Sequence, residues 1–412
     1  MTTEIRQHNG TVEDFTLLIN PLAGKDHPWT SDQDAILNDA ALGVARDTIG
    51  SWPGYAVTPL VALDGLAAQT GVAAIHYKDE GARFDLRSFK ALGGAYAVAR
   101  LLQSKVSASL GQPVDMSEIV DRKHPEIASG ITVCCATDGN HGRSVAWGAE
   151  TFGCRCEIFI HATVSEGRKI AIEAFGADVR RCAGNYDDSV REAQETASRE
   201  GWCVVSDTSY PGYLEVPKDV MQGYELMAAE AFDQLDEPPT HIFVQTGVGG
   251  MAAAVAAQSK RRWGDARPTL VLADPDRSAC WLDSLRAGHP TAVEGDLDTL
   301  MAGLACGEVS MLAWDVLKDH ADAVMALTDE AAVDCMRRLA QPIAGDPPIV
   351  AGESAVAGLA GLFAALSNPD ATAALALGAE SRVLIFGTEG DTDSALYEEL
   401  VGKTADAVRE AA

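Results

Sequence analysis

Short apolar runs alternate with stretches of helical spacing along most of this chain, and that rhythm predicts its architecture. Ile131-Thr-Val-Cys-Cys-Ala136, Cys156-Glu-Ile-Phe-Ile160, Ala177-Asp-Val-Arg-Arg-Cys182 and Trp202-Cys-Val-Val-Ser206 read as strands. Residues 142–152, 165–175 and 186–199 lie between them with spacing suited to helices. A second series of strands runs through Thr240-His-Ile-Phe-Val-Gln245, Thr269-Leu-Val-Leu-Ala-Asp274 and Ser381-Arg-Val-Leu-Ile-Phe386, with helices predicted over 250–262 and 353–366. Strands that alternate with helices imply βαβ units and parallel sheets.

The chain before this is less regular. Residues 1–49 are polar and mixed, with a turn at Asp26-His-Pro28 and a helix cap in Trp29-Thr-Ser-Asp32, and are expected to form a wrapping arm. Thr58-Pro-Leu60 predicts entry into a helix containing Leu63, Leu66 and Ala67, followed by a short strand at Ala73-Ala-Ile-His-Tyr-Lys78. From Ala91 onward, Tyr96, Val98, Ala99, Leu101 and Leu102 recur at helical spacing. The expected fold is α/β, with two open twisted-sheet domains and the active site in the crevice between them. Residues 1–89 and 218–412 would form a large, discontinuous domain, and 90–217 a small one.

Composition narrows the function. The 412 residues are 47% hydrophobic and 22% charged, enough for a large core in two domains. A formal net charge of −28 argues against nucleic acid or an anionic membrane surface as a partner and favours a small-molecule ligand. No apolar run approaches the about 20 residues that cross a bilayer, and the N-terminus lacks a basic-then-apolar leader, so a cytoplasmic location is expected. Nine cysteines without a regular framework suit a reducing compartment, and Cys134-Cys135 and Cys154-Arg-Cys156 do not have zinc-ligand spacing, so no metal is expected.

Candidate chemistry begins at Asp85-Leu-Arg-Ser-Phe-Lys-Ala-Leu-Gly-Gly94. Lys90 stands among Phe89, Ala91, Leu92 and two glycines, where an ammonium would be poorly solvated and its pKa lowered toward that of a usable amine. Such an amine can form a Schiff base; the alternative is a surface lysine whose stem packs on Phe89. Three loops, each after a strand-like run, weigh against that alternative. Thr246-Gly-Val-Gly-Gly250 opens an Ala-rich helix, so its backbone N–H groups can converge on one phosphate; it has neither P-loop nor dinucleotide spacing. Asp138-Gly-Asn-His-Gly142 offers a carboxylate, an amide and backbone donors, with Asn140 suited to a pyridine ring and its phenolate oxygen and His141 to a supporting place. Thr388-Glu-Gly-Asp-Thr392 can set a neutral hydroxyl against a ring nitrogen. Each loop taken alone is also a good turn or helix cap.

In this order the motifs resemble the fold-type II pyridoxal-phosphate enzymes, the tryptophan-synthase-β and serine/threonine-dehydratase group, and most closely the 2,3-diaminopropionate ammonia-lyases. The likeness runs from about Tyr55 to Asp393, through 136–147, Val205-Ser-Asp-Thr-Ser-Tyr-Pro-Gly-Tyr213, Met221-Gln-Gly-Tyr224, Met301-Ala-Gly-Leu-Ala-Cys-Gly307 and Gly387-Thr-Glu-Gly-Asp-Thr-Asp393. Asp rather than Ser before Gly-Asn-His is its specific part. The resemblance implies pyridoxal 5'-phosphate as cofactor, with Lys90 as the Schiff-base lysine and the base for an L substrate. It implies Asp138 as the base for the D isomer and Asp207 as holder of the substrate's distal ammonium. Phe89, Asn140, Gly247, Val248, Gly249, Gly250, Met251 and Thr388 would line the cofactor. Thr137, His141 and Glu353 would join Asp138 and Asp207 around the substrate. A homodimer is the expected assembly.

The chemistry is consistent with those roles. An amino-acid Cα proton needs an iminium-linked pyridine to become removable, and two bases on opposite faces would accept either enantiomer. A β-amine leaves only as ammonia, which requires a nearby proton. The enamine that remains hydrolyses to pyruvate and a second ammonia. The alternative is a dehydratase or lyase of serine, threonine or another β-substituted amino acid. A non-catalytic ligand binder is a third reading, against which Lys90 itself argues.

Overall fold

In the computed structural model, residues 3–137, 139–184, 186–342 and 345–411 are described, Asp187 by its backbone only. The chain divides into two units: Met1–Ala35, Val57–Arg87 and Met227–Ala412 form the first, and Ile36–Ala56 and Ser88–Leu226 the second.

The strands, in chain order, are β1 (Glu4–Gln7), β2 (Phe15–Ile19), β3 (Leu60–Ala62), β4 (Ala74–Asp79), β5 (Thr132–Thr137), β6 (Arg155–Ile160), β7 (Asp178–Arg181), β8 (Cys203–Val204), β9 (His241–Gln245), β10 (Thr269–Pro275), β11 (Ala323–Leu327) and β12 (Arg382–Gly387). In the first unit eight of them make one sheet in the order β1-β2-β11-β10-β9-β12-β4-β3. Its five central strands, β11 through β4, run parallel, and β2 and β3 close the two sides antiparallel. The central strands are almost continuously apolar, as in Phe243, Val244, Leu272, Val324 and Ile385, because helices cover both faces of a parallel sheet. The carboxyl ends of β9 and β12 carry the phosphate-type loop and the Thr388 loop, the side of an open α/β sheet on which ligands bind.

The second unit has a four-stranded, all-parallel sheet in the order β7-β6-β5-β8. All four strands predicted there form, with ends shifted by one or two residues. Helix Ala91–Leu110 packs closely on helix Asn140–Phe152, and small residues allow it. A methyl group on Gly94 would lie 1.9 Å from Ser144 Oγ, and one on Gly93 would lie 2.4 Å from the Tyr224 ring. The pair Gly93-Gly94 therefore sets how closely its neighbours approach the first turn after Lys90.

Several expectations change. Thr58-Pro-Leu60 leads into strand β3, and the helix starts later, at Asp64–Thr70. The N-terminal stretch is more than an arm, since β1 and β2 complete the sheet edge through Phe15, Leu17 and Leu18. Segment Ile36–Ala56, assigned from sequence to the large domain, lies in the second unit. There Trp52 packs against Trp147 and Phe152 with ring centroids 5.7 and 5.4 Å away, and Gln222 Nε2 donates to the Ile36 carbonyl at 3.0 Å.

Candidate active site

Lys90 is the residue just before helix Ala91–Leu110, so its side chain leaves a rigid helix start. Its Nζ lies 2.7 Å from Asp207 Oδ2, each side chain being 18% exposed. The Phe89 and Tyr224 rings flank the ammonium, with centroids 5.5 and 5.9 Å from Nζ. The setting is thus not purely apolar: a carboxylate supplied about 117 residues later pairs the amine. Burial works against the charge of Asp207, but Lys90 and then His141 prevail and hold its carboxyl well below the usual carboxylate range.

His141 sits on the first turn of helix Asn140–Phe152, almost fully buried. Its Nε2 is 2.8 Å from the Val205 carbonyl, which can only accept, so Nε2 carries the hydrogen. Its Nδ1 then faces Asp207 Oδ2 at 3.8 Å, without a hydrogen-bond partner among the described residues. Thr137, at the end of β5, accepts the Gly139 and Gly142 N–H groups on Oγ1 at 3.0 and 3.1 Å and so shapes the loop that presents Asn140. Asp138 lies outside the described residues.

In the first unit the loop after β9 turns directly into helix Gly250–Trp263. The backbone N–H groups of Gly247, Val248, Gly249, Gly250, Met251 and Ala252 find no acceptor among the described residues. Six free donors at a helix start fit a dianionic phosphate, and the amine of Lys90 fits an aldehyde, so the residues present fit pyridoxal phosphate. Gln245 Nε2 donates to Thr388 Oγ1 at 2.7 Å, which leaves the hydroxyl hydrogen of Thr388 available for another acceptor. Glu353 is buried in the turn before helix Ala357–Ser367, so it precedes the helix predicted to begin with it.

Two further structures brace these loops. Phe84, Asp85 and Arg87 all have φ between 53 and 58°, a run of left-handed non-glycine residues leading toward the lysine. Ahead of them Arg83, fully buried, binds Glu80 at 2.7 Å and Glu230 at 2.6 Å, while Lys78 lies 3.2 Å from Glu230. Behind them Gly390 N–H donates to the Arg87 carbonyl at 2.9 Å, and Asp391 receives both Arg87 and Arg409.

Sequence reasoning from residues alone missed Tyr224, Asp274 and Trp281. Tyr224 has a buried hydroxyl close to the Lys90 ammonium; burial raises its pKa, and Lys90 works against that rise. Only its place in the Met221-Gln-Gly-Tyr224 stretch signalled it. Asp274, at the end of β10, is fully buried, and burial pushes its carboxyl up to about 7. An acidic residue ending an apolar strand was the available signal. Cys280 and Cys306 are not joined in a disulfide.

The family model described as pyridoxal-phosphate dependent enzyme matches residues 52–389. The diaminopropionate ammonia-lyase of Salmonella typhimurium is 38% identical over 362 residues, covering 85% of this chain and 89% of that protein. Its Escherichia coli counterpart is 39% identical over 388 residues, 92% and 96% of the two. The crystal structure of the Escherichia coli diaminopropionate ammonia-lyase in complex with D-serine superposes with a TM-score of 0.85 at 36% identity, covering 95% of this chain and 98% of that one. A threonine deaminase from Solanum lycopersicum, at 19% identity and a TM-score of 0.69, shares the fold.

Proposed function

This chain belongs to the pyridoxal-phosphate dependent enzymes and, within them, to the diaminopropionate ammonia-lyases, and on that premise we propose how its own residues divide the work. The reaction is the elimination of 2,3-diaminopropionate to pyruvate and ammonia. Bound pyridoxal phosphate supplies an electron-withdrawing ring that makes a substrate Cα proton acidic.

With pyridoxal phosphate bound, Lys90 Nζ would hold its aldehyde carbon, and the same amine would serve as the base for the Cα proton of the L isomer. Asp138 takes that proton from the opposite face of the D isomer. The N–H groups of residues 247–252 would bind the phosphate, and the Thr388 hydroxyl, steered by Gln245, would donate to the ring nitrogen. A hydroxyl leaves that nitrogen without a full positive charge, which an elimination tolerates. Asn140 and Phe89 position the ring.

Asp207 holds the substrate's distal amine as an ammonium and keeps the proton with which it leaves. The observation that carries this reading is the 2.7 Å pair between Asp207 Oδ2 and Lys90 Nζ, since a carboxylate already placed to receive an ammonium suits a diamine better than serine. His141 lies behind that carboxylate, with its Nδ1 3.8 Å from Oδ2. Glu353 and Thr137 complete the substrate surroundings.

The test is stoichiometric. Purified enzyme should release two ammonia per pyruvate from both enantiomers of diaminopropionate. Turnover confined to serine or threonine, with one ammonia per keto acid, would replace this reading by the dehydratase one.

A further inference from the structure

The phosphate-type loop is held from beneath by the Trp281 indole, with the Cys280 thiol, 3.7 Å from the Gly247 carbonyl, as a weaker second donor. Trp281, fully buried, donates its indole Nε1–H to the Gly247 carbonyl at 3.0 Å. Across a trans peptide the carbonyl of one residue and the N–H of the next point in opposite directions. Fixing the Gly247 carbonyl toward Trp281 therefore turns the Val248 N–H the other way. The next peptide is treated alike, because Ser310 N–H donates to the Val248 carbonyl at 2.9 Å and so turns the Gly249 N–H.

The same indole sets the height of the loop. A methyl group on Gly249 would lie 2.2 Å from Trp281 Cζ2, and Gly249 itself has φ +99°. Trp281 is in turn held by its main chain: its N–H and that of Leu282 donate to Asp274 Oδ2 at 3.0 and 3.3 Å. The other oxygen of Asp274 accepts the Thr246 hydroxyl. Thr246, Asp274, Trp281 and Gly247 thus form a closed circuit that begins and ends on the first two residues of the loop.

We propose that Trp281 is a positioning residue for phosphate binding: by holding the Gly247 carbonyl outward it aims the loop's N–H groups, and so sets the enzyme's preference for a phosphorylated over an unphosphorylated cofactor. This rests on the reading of residues 247–252 as the phosphate site. A substitution that keeps the bulk of Trp281 and removes only the N–H should leave the aldehyde-binding amine untouched.

The experiment strips the purified enzyme of cofactor and titrates it with pyridoxal phosphate and, separately, with pyridoxal, following the visible absorbance of each bound aldehyde. Trp281→Phe should weaken pyridoxal phosphate about tenfold to a hundredfold, as expected for misaimed hydrogen bonds to a charged group, while pyridoxal shifts less than about twofold on the same ground. Inorganic phosphate should compete less well against pyridoxal phosphate in the variant. Unchanged affinity for pyridoxal phosphate, or equal losses for both aldehydes, overturns the proposal. Should Trp281→Phe fail to fold, Asp274→Asn, which loosens the holder of the same indole, is judged by the same ratio. A wild-type enzyme that binds the two aldehydes equally would instead sink the phosphate-site reading itself.

Discussion

Around Lys90 the chain works with side-chain charge, whereas around Gly247 it works with bare backbone. In the first region an ammonium, a carboxylate and an imidazole lie within 3.8 Å steps of one another. In the second, donors come from the main chain, and the side chains Trp281, Asp274 and Thr246 serve only to aim it. Residues that carry protons are irreplaceable by type, while residues that aim a backbone are constrained mainly by shape. The two regions should therefore respond differently to substitution, acidity and cofactor.

The largest effect is expected in the charged region. Lys90→Ala should lower turnover by at least about 10⁴-fold and abolish the visible absorption of bound cofactor. Retained activity would remove Lys90 from the reaction. Asp207→Asn should lower turnover of diaminopropionate by about 10²- to 10³-fold but affect serine less, because only the diamine has an ammonium to hold. An equal loss on both substrates would make Asp207 a mere support for Lys90.

The backbone region should lose stability and cofactor before chemistry. Gly249→Ala adds a methyl against Trp281 at a left-handed position and should cost about 1–3 kcal/mol of folding free energy, read as a lower unfolding midpoint in denaturant. An unchanged midpoint would show that the loop is not pressed on the indole.

The smallest effect is one of pH. The carboxyl of Asp274 is raised to about 7 in the fold, so below its unfolded value of about 3.9 it carries no penalty. As pH rises from there toward about 7 the unfolded chain releases the proton first, and the folded state loses stability by that difference. Between pH 5 and 7 the midpoint of the wild type should fall relative to Asp274→Asn. Parallel profiles would mean that the buried carboxyl is already charged.

The same contrast explains what the sequence made legible. Lys90, the Asp-Gly-Asn-His-Gly loop and the Thr-Gly-Val-Gly-Gly loop are local signals, each a few residues long after an apolar strand, and they could be read directly. Asp207 could be assigned only through the resemblance, since nothing near it in the chain indicates an ammonium from position 90. Trp281 could not be read at all, and Asp274 only as an acidic end to an apolar strand: one donates to a carbonyl 34 residues earlier and the other accepts from a threonine 28 residues away. Among the elements, β3 was hidden by a Pro-Leu entry that also suits a helix. Strand β11, Ala-Val-Met-Ala-Leu, has no alternation to separate it from helix.

The salt bridges on Asp391 tie Arg409, in the final short helix, to Arg87, in the left-handed run that feeds the lysine. Helix Ala405–Arg409 is thus a tether, and Arg409→Ala would slacken a segment more than three hundred residues upstream.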